Sequence, residues 1–282
     1  MRLPDFIAIG PIRTGTTWLD TIFRGHLGLP ARIKETQFFG RRYHLGLDWY
    51  ARHFSNCRES IAGEFGPTYF FAPAARAQIA RDLPSCKIIC TLREPVARIY
   101  SHYQLWRKIA ILKEPFAEAI ANRPQLSARM HYAPDLREWR KVFGNRMLVL
   151  IYEDSRHDRQ AYVDQICDFI GAPRFDLKTV AGERRMVAHF EQAPRNYRWA
   201  RRARDLSYAL EERRLLRLRN LLDPAVEWCM TGGEPFSPLD PDLAAELRAR
   251  CADDVAEIEE LLDRDLSIWK HSPAARLARS TA

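Results

Sequence analysis

Arg13, Thr14, Gly15, Thr16 and Thr17 stand between a short apolar run, Phe6–Ile9, and a helix-forming run that continues through Trp18 and Leu19. Gly10 and Gly15 open the turn between them. A strand, a glycine turn and a helix start in this order aim backbone N–H groups at one point, which is a means of holding an anion. The pattern departs from the nucleotide-triphosphate loop G-x-x-x-x-G-K-[ST] at one telling position. Thr16 stands where that loop has lysine, and the basic residue comes earlier, at Arg13. This argues against ATP or GTP hydrolysis and leaves a cradle suited to a phosphate or sulfate ester.

Arg93 and Ser101 make a second grip. Arg93 follows the apolar run Lys87–Leu92, and Pro95 sits where a helix would begin, so Ser101 falls two turns into that helix. An arginine at the carboxyl end of a buried parallel strand faces the crevice in which open α/β sheets bind ligands. Arg93 by its fork and Ser101 by its hydroxyl can take a second phosphate. The competing reading pairs Arg93 with Glu94 or Glu153 and leaves Ser101 in solvent.

The elements that must carry these residues alternate. Strands are expected at Phe6–Ile9, Lys87–Leu92 and Met147–Tyr152, with a brief one at Ala31–Ile33. Helices are expected at Thr17–Gly25, Asp48–Phe54, Ala74–Asp82, from Pro95 past Ser101, and at Ala161–Ile170, stopped by Gly171. Ala62–Phe70, with two glycines and a proline, reads as a loop or strand-to-loop junction. The last third is Arg-rich and helical from about Asn196 to Leu222, loose around Thr231–Pro238, and closed by a helix from Asp240-Pro241 through Leu262. The fold class expected is α/β, a P-loop-type open parallel sheet flanked by helices, with a helical C-terminal portion. We expect one domain over 1–282: a nucleotide-binding core over 1–170 and an acceptor or lid portion over 171–282.

Composition narrows the choices. The 282 residues carry 46% hydrophobic residues, enough for a sizeable core, and a net charge of +8 that favours anionic partners. The densest basic run, Arg195 to Arg204 with Tyr197 and Trp199, reads as a solvated helix face or substrate rim, and no nucleic-acid motif accompanies it. The six cysteines lack metal-ligand spacing and imply no disulfide framework. With neither a leader peptide nor a membrane-spanning run in the sequence, the expected location is cytoplasmic. The oligomeric state is not readable.

The two anion elements resemble those of sulfotransferases that use 3′-phosphoadenosine 5′-phosphosulfate (PAPS). In that family a loop of type [KR]-[ST]-G-T-[TS]-x-L holds the 5′-phosphosulfate, and Arg13-Thr14-Gly15-Thr16-Thr17-Trp18-Leu19 matches it. An R-x7-S element holds the 3′-phosphate, and Arg93 through Ser101 matches that. Lys34-Glu35 before Phe38-Phe39 resembles the K-E-x-x-F-F stretch of the heparan sulfate N- and 3-O-sulfotransferase branch. Glu64 with Pro67-Thr68-Tyr69-Phe70 resembles its E-K-[ST]-P-x-Y-F motif, and Trp49-Tyr50 with Phe54 its W-Y-x-x-x-F. The resemblance is clear over residues 5–110 and weak beyond about 155. Two positions depart from it: the loop lysine is Arg13, and the lysine after Glu64 is Phe65.

The resemblance implies PAPS as sulfuryl donor, PAP as product, in-line displacement and no required metal. Arg13 neutralises the leaving phosphate, and Glu35 is the base that takes the acceptor proton. Without the motif, Glu35 reads as a surface ion pair with Lys34 or Arg32. Lys34, Glu64, His44 and His102 are acceptor-side or supporting candidates. His102 adjoins Ser101 on one helix and points away from its ligand. Arg184, Arg185, Arg195 and Tyr197 are candidates for a nucleotide lid. The acceptor expected is a hydroxyl of a carbohydrate, glycolipid or other small molecule. The rival readings are a P-loop kinase with Glu153-Asp154 at magnesium, and a non-enzymatic module that binds an anionic partner through the Arg-rich helix.

Overall fold

The computed structural model describes residues 2–30, 33–180, 192–212 and 215–270. Its strands are β1 (Phe6–Ala8), β2 (Gly63–Phe65), β3 (Lys87–Leu92), β4 (Met147–Ile151), β5 (Gln192–Pro194) and β6 (Gly232–Pro235). The helices of the first half are α1 (Thr16–Phe23), α2 (Leu47–Ala51), α3 (Pro73–Asp82), α4 (Pro95–Lys108), α5 (Phe116–Asn122), α6 (Pro124–Ala128) and α7 (Ala133–Phe143). Those of the second half are α8 (Asp154–His157), α9 (Arg159–Ile170), α10 (Tyr197–Glu212), α11 (Leu216–Cys229), α12 (Pro241–Arg250), α13 (Ala252–Leu262) and α14 (Ser267–Lys270).

The chain forms two compact units. The described residues of the first fall within 1–94, 131–187 and 252–267, and those of the second within 95–130, 188–251 and 268–282.

The first unit holds a four-stranded parallel sheet in the order β2-β1-β3-β4. Phe6 pairs with Gly63 on one side and Lys87 on the other, and Leu92 pairs with Ile151. Strands this apolar are what a sheet covered on both faces requires. On one face Phe6, Ala8, Phe65, Ile89 and Leu150 pack with α1 (Trp18, Leu19, Ile22, Phe23) and α9 (Val163, Ile166) in a single core. Elsewhere in the unit α7 packs against α3 and β4, and Trp139 of α7 donates from Nε1 to the Phe70 carbonyl at 2.9 Å. Asp158 caps α9 by accepting from the Ala161 N–H at 2.9 Å, as its side chain allows.

The second unit pairs β5 with β6 in antiparallel sense, and α4 packs against β5 and α12. Helices α10 and α11 run alongside in opposite senses: Ser207 accepts from Arg219 at 3.3 Å, and Ala200 packs with Met230 and Val226.

Four expectations change in detail. Gly63–Phe65 is an edge strand, because its backbone pairs with β1 despite the flanking glycines. Ile33 lies outside any strand, and residues 31–32 fall outside the described set. The stretch expected to be loose at Thr231–Pro238 contains β6. The helix expected from Asp240 to Leu262 starts as foreseen, with Asp240 accepting from the Leu243 N–H at 2.8 Å, but breaks at Cys251. Beyond the break Asp253 and Asp254 favour a fresh helix start, whose N-terminal field suits acids.

Candidate active site

The loop after β1 is fixed by contacts that only certain residues permit. At Gly10 a Cβ would stand 2.2 Å from the Thr91 carbonyl oxygen, so only glycine lets the loop cross β3 there. Thr14 is buried and its hydroxyl donates to the Pro11 carbonyl at 2.8 Å, while its Oγ1 lies 2.6 Å from Thr91 Oγ1. The Thr14 side chain therefore fastens the loop to the central strand, and what it offers a ligand is its backbone N–H. Gly15 caps α1 at φ 88°, and a Cβ on it would meet the Tyr152 ring at 2.9 Å. Arg13 also has positive φ, 81°, a backbone strain that the surrounding contacts hold in place.

Arg93 comes to this loop from the end of β3. Its Nη1 donates to the Arg13 carbonyl at 3.2 Å, and its guanidinium lies over the Tyr152 ring at 5.0 Å. The Tyr132 hydroxyl donates to the Arg93 carbonyl at 3.0 Å, which fixes the backbone from the other side. Glu153, the rival partner, accepts from the Glu94 N–H at 3.1 Å. Burial pushes the Arg13 guanidinium down to about 10, with the nearby Arg93 charge adding to the effect and Tyr152 opposing it. Burial likewise lowers Arg93, against the pull of Tyr152 and Glu153. Two guanidinium groups held close and short of solvent are a place where an anion is favoured.

The segment after residue 33 meets the same helix start. Lys34 Nζ donates to Thr17 Oγ1 at 3.1 Å and to Glu35 Oε1 at 2.9 Å, so Lys34 ties Glu35 to the head of α1. Thr16 is buried and Thr17 exposed at that head. Glu64 supports the segment from below. It is fully buried; its Oε1 accepts from the Thr36 N–H at 2.6 Å and the Thr36 hydroxyl at 2.7 Å, and its Oε2 from the Tyr50 hydroxyl at 2.8 Å. Tyr69 adds a longer donation at 3.2 Å. Desolvation raises the Glu64 carboxyl above its ordinary value, opposed by these donors.

Several candidates take places the sequence did not foretell. Glu64 neither reaches solvent nor holds Arg13; it anchors the Thr36 turn, because the strand β2 points it inward. Trp18, read with the ligand loop, is 3% exposed and packs with Tyr162 at 6.4 Å, since it lies on the apolar stripe of α1. Phe65 faces the opposite side of β2 from Glu64, meets Phe6 edge-on and stacks with Phe23 in the core. His44 is exposed on the turn Tyr43–Leu45. Asp154, one of the pair read as a magnesium site, accepts from Arg264 at 2.6 Å.

Ser101 and His102 lie on α4, in the second unit; His102 is buried against Trp106 at 4.5 Å. Arg195 donates to the Gly232 carbonyl at 3.1 Å, and the Tyr197 hydroxyl accepts from Arg107, so both are engaged within that unit. Arg184 and Arg185 lie outside the described residues. Tyr152, Thr91, Thr36 and Tyr132 were not singled out, and Tyr50 only as part of an aromatic motif. Tyr152 alone carried a readable signal, its position at the carboxyl end of a buried strand.

An open parallel sheet flanked by helices, with a glycine turn and a helix start after its first strand and an arginine delivered to that turn from the neighbouring strand, defines an α/β protein of P-loop type. A model of the sulfotransferase domain matches residues 3–191, and the chain belongs to the sulfotransferase family. Bifunctional heparan sulfate N-deacetylase/N-sulfotransferase 3 of Homo sapiens is 32% identical over 195 residues, covering 60% of this chain and 22% of that protein. Bifunctional heparan sulfate N-deacetylase/N-sulfotransferase 1 of Mus musculus gives the same identity and coverage. The chain thus spans about a fifth of the length of these relatives. The crystal structure of a sulfotransferase from Alicyclobacillus acidocaldarius superposes with a TM-score of 0.67 at 22% identity, over 96% of this chain and 100% of that one, and so shares the fold. Among the described residues no helix is long and apolar enough to cross a membrane.

Proposed function

We propose that the chain is a PAPS-dependent sulfotransferase that moves the sulfuryl group to a hydroxyl of a carbohydrate, glycolipid or other small acceptor. The observation that carries this reading is the Arg93 guanidinium on the Arg13 carbonyl, beside a loop whose helix start is tied to Glu35 through Lys34. PAPS supplies an activated sulfur with a phosphate leaving group. Its fit rests on the donor set, two crowded guanidinium groups at a helix N-terminus, which favours dense negative charge.

In this reading Arg13 and the N–H groups of Gly15, Thr16 and Thr17 hold the phosphosulfate end and take up the charge left on the departing phosphate. Arg93 and Ser101 receive the 3′-phosphate. Glu35 removes the proton of the acceptor hydroxyl, with Lys34 keeping it at the head of α1 and Glu64 holding the turn behind it. Residues 1–170 serve the nucleotide and 171–282 the acceptor or lid. The relatives act on heparan sulfate by their names, but Phe65 puts a ring in the core where that branch carries a lysine. We therefore assign an acceptor less anionic than theirs; in this reading the cytoplasm is the expected location and the reaction requires no metal.

Thermal unfolding with and without PAP tests the donor site. PAP at about 100 times its Kd and without magnesium should stabilise the chain by about 2.7 kcal/mol. Stabilisation by Mg-ATP and none by PAP would instead favour the kinase. Labelled PAPS with a panel of sugar and glycolipid hydroxyls then identifies the acceptor.

A further inference from the structure

Helix α11 uses one face inside the second unit and leaves another to solvent. Val226 packs with Met230, Ala200 and Ala110. Leu218, Leu221, Ala225 and Trp228, spaced as one helical stripe, are all exposed, Leu221 by 75% and Trp228 by 63%. The neighbouring helix α10 adds Trp199, 58% exposed, and Leu206 two turns on. Such a concentration of solvent-facing leucine and tryptophan exceeds the scattered apolar residues of an ordinary surface.

Arginines interleave with this surface. The Arg195 guanidinium lies over the Trp228 ring at 5.7 Å, and that of Arg202 over Trp199 at 5.3 Å. Arg198 and Arg201 are exposed on the same helix. Among the described side chains, the acids here already face cations: Asp205 meets Arg204 at 2.7 Å, Glu227 meets Lys108 at 2.6 Å, and Asp223 lies 3.9 Å from Arg219. The surface is thus apolar in its stripe and cationic around it.

We propose that the α10–α11 surface docks on an anionic lipid bilayer. Leucine and tryptophan side chains enter the boundary between headgroups and acyl chains, and the arginines sit among lipid phosphates. A soluble polyanion would satisfy the arginines and leave Leu218 and Leu221 in water. A second copy would cover the stripe but bring like-charged arginines together. The bilayer satisfies both features, and it places the enzyme where lipid-borne hydroxyls are found.

Co-sedimentation with vesicles of phosphatidylglycerol mixed with phosphatidylcholine, against phosphatidylcholine alone, tests this. Vesicles containing phosphatidylglycerol should carry the chain down, the neutral ones should not, and added salt should weaken binding. Leu218→Asp with Leu221→Asp, and separately Arg198→Glu with Arg202→Glu, should each reduce binding by about tenfold or more, with thermal unfolding unchanged. No binding to the anionic vesicles would overturn the proposal. So would binding that the leucine variants leave intact, which marks plain charge adsorption, or a dimer in solution that the leucine variants dissociate, which gives the stripe to a second copy.

Discussion

Arg13 lies in the field of Arg93, and burial lowers both guanidinium groups from their ordinary value. An anion placed between them relieves that repulsion, so each arginine contributes more to the bound state than to the free one. Arg93→Ala should weaken PAP binding by about 10- to 100-fold, measured by calorimetry, the range of a charge-assisted hydrogen bond lost. With Glu35 proposed as the base that acts on the acceptor, Glu35→Gln should lower kcat by about 10²–10⁴-fold and leave PAP affinity near that of the parent. Glu64 offers a different signature. Its folded carboxyl titrates above its ordinary 4.5. The stability it contributes is complete below that ordinary value and is lost as pH rises through the raised one. Glu64→Gln has no proton to lose there. In urea titrations its deficit relative to the parent should therefore shrink as pH rises from about 4 through that window.

Elements explain why some of these roles were legible and others not. The anion loop, the Arg93 junction and strands β1, β3 and β4 stand in the sequence because each is a local pattern: an apolar run, then glycine or arginine, then a helix start. What Glu64 touches was not legible, since Thr36, Tyr50 and Tyr69 reach it from three separate segments. Trp18 belongs to two local patterns at once, the loop motif and the stripe it shares with Leu19, Ile22 and Phe23, and the stripe decides where its side chain goes. The β5–β6 ladder was hidden because Gln192-Ala-Pro194 and Gly232-Gly-Glu-Pro235 lack strand composition and depend on each other. At this scale Gly15→Ala is the sharpest test. A Cβ at φ 88° is strained and meets the Tyr152 ring, so the variant should lose about 1–3 kcal/mol in urea unfolding and bind PAP more weakly.

At the scale of the whole molecule, the first unit is assembled from distant stretches of chain. Asp254 on α13 accepts from the Tyr132 N–H at 2.8 Å and the Ala133 N–H at 3.0 Å, and Tyr132 in turn holds the Arg93 carbonyl. Asp254→Ala leaves two buried donors unmatched. It should cost about 1–3 kcal/mol by chemical denaturation and carry through to weaker PAP binding, though the side chain never approaches the loop. The same chain of contacts bears on biosynthesis. A ribosome that has released Arg13, Arg93 and Glu35 has delivered every residue assigned to the chemistry, yet the brace on Arg93 waits for a carboxylate translated much later. Completion of this brace therefore waits on synthesis of α13, and a polypeptide stalled before Asp254 carries the proposed chemical groups without the contact that steadies the Arg93 backbone.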